Sequence, residues 1–169
     1  MSKEFINVTD KKGNPLFKTT KEEAHKRGLL HKIELTLVFN SKGEILLTRA
    51  APDRSDAGTL FHPSGGHIGS EKDTKEGTLR ELNPEAVGFL GSFLHRRKIR
   101  GIIENHLFFV FRVLWNGPIE LSNEAVEYQW FSPSLLKEEL KKNPSNFSDP
   151  LKISLQRFVF TSFQSPFQN

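Results

Sequence analysis

Residues 65–89 read GGHIGSEKDTKEGTLRELNPEAVGF. This is a glycine-rich loop feeding a helix. Gly65 and Gly66 let the backbone approach an anion closely, because neither carries a Cβ. Asp73 or Thr74 supplies an N-cap for a helix running through Leu79 and Leu82. Glu81 and Glu85 stand four apart, so both project from one helical face. Alone, two such charges repel by roughly a few tenths of a kcal/mol. A hard divalent cation turns that repulsion into attraction. Arg80 is placed to bond the loop carbonyls or a carboxylate. The same spacing also fits an ordinary surface helix with scattered charges. Pro84 removes a helical hydrogen bond and clashes one turn back, at a cost of about 3 kcal/mol. The helix is therefore expected to kink or end near Asn83 rather than run straight through Val87.

Upstream, Thr20 to Gly28 reads as a short helix with a hydroxyl cap and a glycine stop. Lys32 to Phe39 and Glu44 to Arg49 are apolar, β-branched runs on either side of the turn Asn40-Ser41-Lys42-Gly43, which predicts a hairpin. Ala50 to Gly66 is read as a loop, broken by Pro52, Gly58, Pro63, Gly65 and Gly66. Downstream, Ile102 to Trp115 carries the longest strand signal and Val126 to Phe131 a shorter one. Ser132-Pro133 and Asp149-Pro150 each start a helix. The first 20 residues are polar, with a turn at Lys12-Gly13-Asn14-Pro15, and are expected to be an N-terminal segment or an edge hairpin. The pattern predicts an α/β or α+β fold in one domain over residues 1–169.

Composition bounds the function. With 169 residues, a core can form without disulfides. There are no cysteines, which removes thiolate metal sites and cysteine nucleophiles. No stretch reaches the roughly 18 apolar residues of a membrane helix. The first residues lack a signal-peptide pattern, so a cytoplasmic protein without a membrane partner is expected. A net charge of +4 suits an anionic ligand. Arg96, Arg97, Lys98 and Arg100 form a basic cluster that reads as an anion funnel or as a solvated edge or turn. It has no interleaved aromatic residues, which argues against nucleic acid as the partner. Phe158, Phe160, Phe163 and Phe167 are expected to pack the terminal helix; a homodimer surface is their other reading.

The segment opening this section resembles the signature of the Nudix hydrolases: Gly, five residues, Glu, seven residues, then Arg-Glu-apolar-x-Glu-Glu-x-Gly-apolar. Gly66, Arg80, Glu81, Leu82 and Glu85 match it at the family spacing. Lys72 and Pro84 replace two of its glutamates, and Gly88-Phe89 closes it one residue late. The resemblance implies an α/β/α sandwich with a mixed central sheet. It also implies metal-dependent cleavage of a phosphoanhydride.

From about residue 20 to 140 the chain is most similar to the branch that contains type I isopentenyl-diphosphate isomerase and its hydrolase relatives. His25 and His31 resemble its two early histidine ligands, and Thr48-Arg49-Ala50 its diphosphate-binding stretch. Gly66-His67 resembles its Gly-His ligand motif, and Gly101 to His106 a Gly-Ile-Val-Glu-Asn-Glu segment. Glu124 to Trp130 resembles its Glu-x-x-Asp-Tyr-Gln-Trp strand. In that branch a cysteine before Gly-His protonates the double bond; here the position is Gly65, and His106 stands for the second glutamate. Isomerase chemistry is therefore disfavoured.

The resemblance implies metal ligands at Glu81, Glu85, Glu104, His25, His31 and His67, with Glu81, Glu85 and Glu104 catalytic. It implies Arg49 as a phosphate-binding residue; Arg54, across the following loop, is placed to clamp the same diphosphate bidentately. The implied cofactor is Mg²⁺ or Mn²⁺, and histidine ligation favours a transition ion. The expected partner is a small-molecule diphosphate. The alternative is a Nudix-fold module, impaired at Lys72 and Pro84, that binds a phosphorylated ligand or a protein without turnover.

Overall fold

Ile6 and Val8 are buried while Phe5 is exposed, the two-residue period of a half-buried strand. That strand, β1 (Phe5–Thr9), pairs antiparallel with β2 (Pro15–Thr20). The turn between them is held by Asp10, whose carboxylate accepts from the Lys12 and Asn14 amides at 2.8 and 2.9 Å. The polar N-terminus is thus a hairpin. The structure is a computed structural model that describes residues 3–51, 60–67, 86–121 and 125–161, with backbone alone at 66–67 and 86–87. The helix expected through Leu79 and Leu82, the kink or end expected near Asn83, and Arg54, Lys72, Arg80, Glu81, Glu85, Phe163 and Phe167 lie outside the described residues.

The described residues gather into two units. The first holds residues 3–35, 65–67 and 89–111. Its helix α1 (Lys21–Arg27) starts where the Thr20 hydroxyl accepts from the Glu23 amide at 3.2 Å, and it ends at Gly28 in the left-handed conformation. The chain then enters β3 (His31–Phe39), whose His31 pairs with Val8 of β1. Strand β6 (Ser64–His67) pairs with β3. A long hairpin, β7 (Ala86–Ile99) and β8 (Ile102–Leu114), turns through Arg100 and Gly101, both at positive φ as a two-residue hairpin loop requires. Phe93 and Phe108 are buried and stack at 5.0 Å within it.

The second unit holds residues 36–51, 60–64, 86–88, 112–121 and 125–161. The end of β3 turns at Asn40, whose side-chain oxygen accepts from the Lys42 and Glu44 amides at 3.0 Å. Strand β4 (Ile45–Ala50) then pairs antiparallel with β3, with β5 (Phe61–His62) and with β9 (Ala125–Phe131). Ser132 caps α2 (Pro133–Lys142), its hydroxyl accepting from the Leu135 amide at 3.2 Å. Ser148 precedes α3 (Asp149–Phe158), with Pro150 in its first turn, so the stop-and-start signal falls one residue earlier than expected. Leu136, Leu151 and Leu155 are fully buried. Phe61, Phe131 and Phe147 form an aromatic cluster with ring centroids 5.2 to 6.1 Å apart.

One expectation is corrected, and one strand was not anticipated. The span from 50 to 66 contains β5 and most of β6, because Phe61 finds the Phe131–Phe147 cluster and Gly65 packs against β3. The stretch from 86 to 99 is a strand that glycines and a basic run conceal. Its residues alternate: Ser92, Leu94, Arg96 and Lys98 are exposed, while Phe93 is buried and His95, Arg97 and Ile99 are half-buried. Strand from Ala86 onward also means that no straight helix runs through Val87. The mixed α+β fold is the one expected. No helix among the described residues is long and apolar enough to cross a membrane.

Candidate metal centre

Three imidazoles meet in the first unit. His25 lies in the last turn of α1, His31 opens β3, and His106 sits in β8. One ligating nitrogen from each lies within 4.8 Å of the other two. Ring centroids are 5.1 Å apart for His25 and His31, 5.7 Å for His25 and His106, and 4.7 Å for His31 and His106. His31 and His106 are buried, His25 half-buried.

Local structure sets these positions. The Gly28 cap ends α1 and leaves three residues to reach β3, which brings His25 and His31 close. Asn105 donates to the Gly28 carbonyl at 3.0 Å and fastens β8 to the end of α1. Its neighbours Glu104 and His106 point to the opposite face of β8 by strand alternation. The Nδ1 of His31 lies 2.8 Å from the Leu29 carbonyl, which can only accept, so Nδ1 carries the proton and Nε2 keeps its lone pair. This is the arrangement that orients a metal-ligating imidazole.

Burial pushes the pKa of His25 down. It pushes His31 to about 4, against a raising effect of the Leu29 hydrogen bond. It pushes His106 to about 2, helped by His31 and His25. All three imidazoles are therefore neutral at pH 7, the form that ligates a metal. A buried cluster of neutral imidazoles fits a divalent ion of intermediate softness.

The remaining expected residues fall as follows. Glu104 is buried in β8 and accepts from Arg97 Nε at 2.5 Å. Arg97 thus leaves the basic cluster for a buried ion pair. His67 ends β6, with its side chain outside the description, and Gly66 precedes it. A Cβ built on Gly65 would run into the Glu34 carbonyl oxygen, so only glycine fits there. In the second unit, Arg49 lies on β4, pairs with Glu127 at 3.2 Å and rests over the Phe61 ring at 4.6 Å. The ligand set drawn from the sequence omits His106, which the fold brings to His25 and His31. The signal for it was the Glu-x-His spacing in a strand, which places both side chains on one face.

Residues 31–150 match the family model for the NUDIX domain. An isopentenyl-diphosphate Delta-isomerase of Paenarthrobacter aurescens is 28% identical over 92% of this chain and 91% of its own length. The enzyme of that name from Serratia proteamaculans is 27% identical over 86% of each chain. The crystal structure of the MutT protein from Methanosarcina mazei superposes with a TM-score of 0.65 at 23% identity, covering 80% of this chain and 96% of that one. The model match spans well over half of the sequence, and this chain belongs to the NUDIX domain family.

Proposed function

We propose that this protein is a metal-dependent hydrolase that cleaves a phosphoanhydride, in a nucleoside diphosphate linked to another moiety or in a similar diphosphate. The observation that carries this reading is the buried cluster of neutral imidazoles, two residues along β8 from Glu104, in a NUDIX-domain chain. Nudix enzymes generally use divalent metal ions. The ion, when bound, supplies positive charge against the phosphate oxygens and polarises the bond to be broken. His25, His31 and His67 hold it with Glu81 and Glu85. Glu104 serves as a further ligand or as the general base, oriented by Arg97. Arg49 and Arg54 hold the phosphates.

Two isomerase-named relatives raise the competing chemistry. Gly65 argues against it, since the backbone of Glu34 excludes any side chain at that position. Lys72 and Pro84, standing where the family signature has glutamates, favour a second reading as a binding module without turnover. Steady-state phosphate release decides between them: release by the wild type supports the hydrolase, its absence from folded protein supports the module, and Glu81→Gln and Glu85→Gln then test the site. The hydrolase reading predicts a fall in kcat of about 100-fold or more for each, since each removes charge from the metal site. Unchanged turnover in both variants overturns the site assignment.

A further inference from the structure

We propose that the outer edge of β7 takes an extended acidic segment of a partner protein as an added strand, with Arg96 and Lys98 pairing alternate carboxylates and Leu94 covering an apolar residue. The sequence presents Arg96, Arg97, Lys98 and Arg100 as one basic cluster, and the strand splits it. Arg97 turns inward to the buried Glu104. Arg96 and Lys98 alternate with it, so they share the other face of β7 with Ser92 and Leu94, and all four are exposed. Leu94 is 48% exposed, high for a leucine within a strand. Arg100, at the tip of the hairpin, is exposed too. Among the described residues, none of Arg96, Lys98 and Arg100 pairs with a carboxylate. This face of β7 points away from Glu104, and the proposed reaction makes no use of it.

The backbone carries the other half of the argument. Among the described residues, β7 pairs with β8 alone. In an antiparallel ladder alternate residues bond the neighbouring strand, so a strand with one neighbour presents a row of open N–H and C=O groups on its other side. Extended peptides add to such edges: the main chain supplies affinity, and alternate side chains supply specificity. Arg96 and Lys98 stand about 7 Å apart, the spacing of alternate residues in any strand laid beside them. They therefore match a segment with two acids two residues apart and an apolar residue two further on, opposite Leu94. Opposite charges directly across a sheet are favourable and like charges unfavourable. The same rule decides among occupants. A second copy laid on this edge in register, antiparallel as two-fold symmetry requires, sets Arg96 and Lys98 against each other, so self-pairing is opposed. A nucleic acid meets the cations but has no peptide backbone to complete the ladder.

The test uses full-length protein and three fluorescent probes. The first is a short peptide that alternates Glu with Thr and ends in Val. The second has the same composition with its Glu residues in one block, and the third is oligothymidylate. Anisotropy titrations at low and high salt give the affinities, and amide hydrogen exchange read by NMR locates the bound strand. The alternating peptide should bind at least about 10-fold more tightly than the blocked one, weaken with salt, and slow exchange of the β7 amides between Ser92 and Ile99. Methylating its amides should abolish binding, because the added strand then lacks donors. Arg96→Glu with Lys98→Glu should cut the affinity about 10-fold or more and leave the thermal melt as it is. If that variant does not fold, Arg96→Gln with Lys98→Gln replaces it, and unchanged affinity there overturns the proposal. Equal affinity for the two peptides, or tighter binding of oligothymidylate, overturns it in favour of a general polyanion surface. No binding of the alternating peptide at about 1 mM overturns it outright. A dimer seen by sedimentation, with protection on the same β7 amides, overturns it in favour of a second copy.

Discussion

Arg97 Nε donates to Glu104 Oε2 at 2.5 Å, and the two side chains are only 22% and 11% exposed. A charge-assisted contact this sheltered fixes the carboxylate on the face of β8 that also carries His106. Arg97→Gln leaves the Glu104 charge buried without its cation. We expect a loss of about 2–3 kcal/mol, below the full value for a deeply buried pair because some solvent reaches this one. Urea denaturation measures it. A change under about 0.5 kcal/mol contradicts the burial argument.

Gly65 is closed to any side chain by the Glu34 carbonyl. Gly65→Cys, which restores the cysteine of the isomerase branch, should destabilise by about 1–3 kcal/mol and create no isomerase. A thermal melt and an isomerisation assay on the same sample test both halves. Allylic isomerisation by the variant contradicts the reading.

Burial lowers His31 to about 4 and His106 to about 2, from 6.5 unfolded. The unfolded chain therefore takes up protons first as pH falls. The contribution to stability is complete above pH 6.5, is lost for His31 between 6.5 and about 4, and goes on being lost for His106 toward 2. Glu104 opposes the His31 shift, while Lys21 reinforces it and Arg97 reinforces that of His106. Moving chelated protein from pH 7 to pH 5 should cost roughly 2–4 kcal/mol of unfolding free energy. His106→Gln should flatten that slope, and an unchanged slope contradicts the assignment.

Arg49 is half-buried over Phe61 with an exposed partner, Glu127. Arg49→Met should alter stability by under about 1 kcal/mol, because such pairs are weak. It should instead raise KM for the diphosphate substrate by about 10-fold, the loss of one charged hydrogen bond to phosphate. Loss of stability with unchanged KM would make Arg49 a packing residue.

Much of the fold was legible because its signals are local. Thr20 and Gly28 bound α1, Asn40 to Gly43 turns the first β3–β4 pair, and Ser132-Pro133 starts α2. β7 was not legible, since its alternation is carried by residues such as His95 and Arg97 that are only half-buried, and its basic run reads as an anion funnel or a solvated edge or turn. Three histidines were visible as candidates, but His106 joins His25 and His31 only through the pairing of distant strands, β1 with β3 and β3 with β8. The Glu-x-His spacing puts His106 on the face of Glu104 but does not bring it to His25 and His31. Glu81 and Glu85 rest on the family signature alone.

The most direct measurement follows one reaction by two signals. Isopentenyl diphosphate and a panel of nucleoside diphosphate derivatives are incubated in D₂O with Mn²⁺ or with chelator, and read by ³¹P and ¹H NMR. The account predicts new phosphate or phosphomonoester resonances with Mn²⁺, none with chelator, and no deuterium entering the isoprenoid carbons. Deuterium incorporation without cleavage of any phosphoanhydride would contradict it.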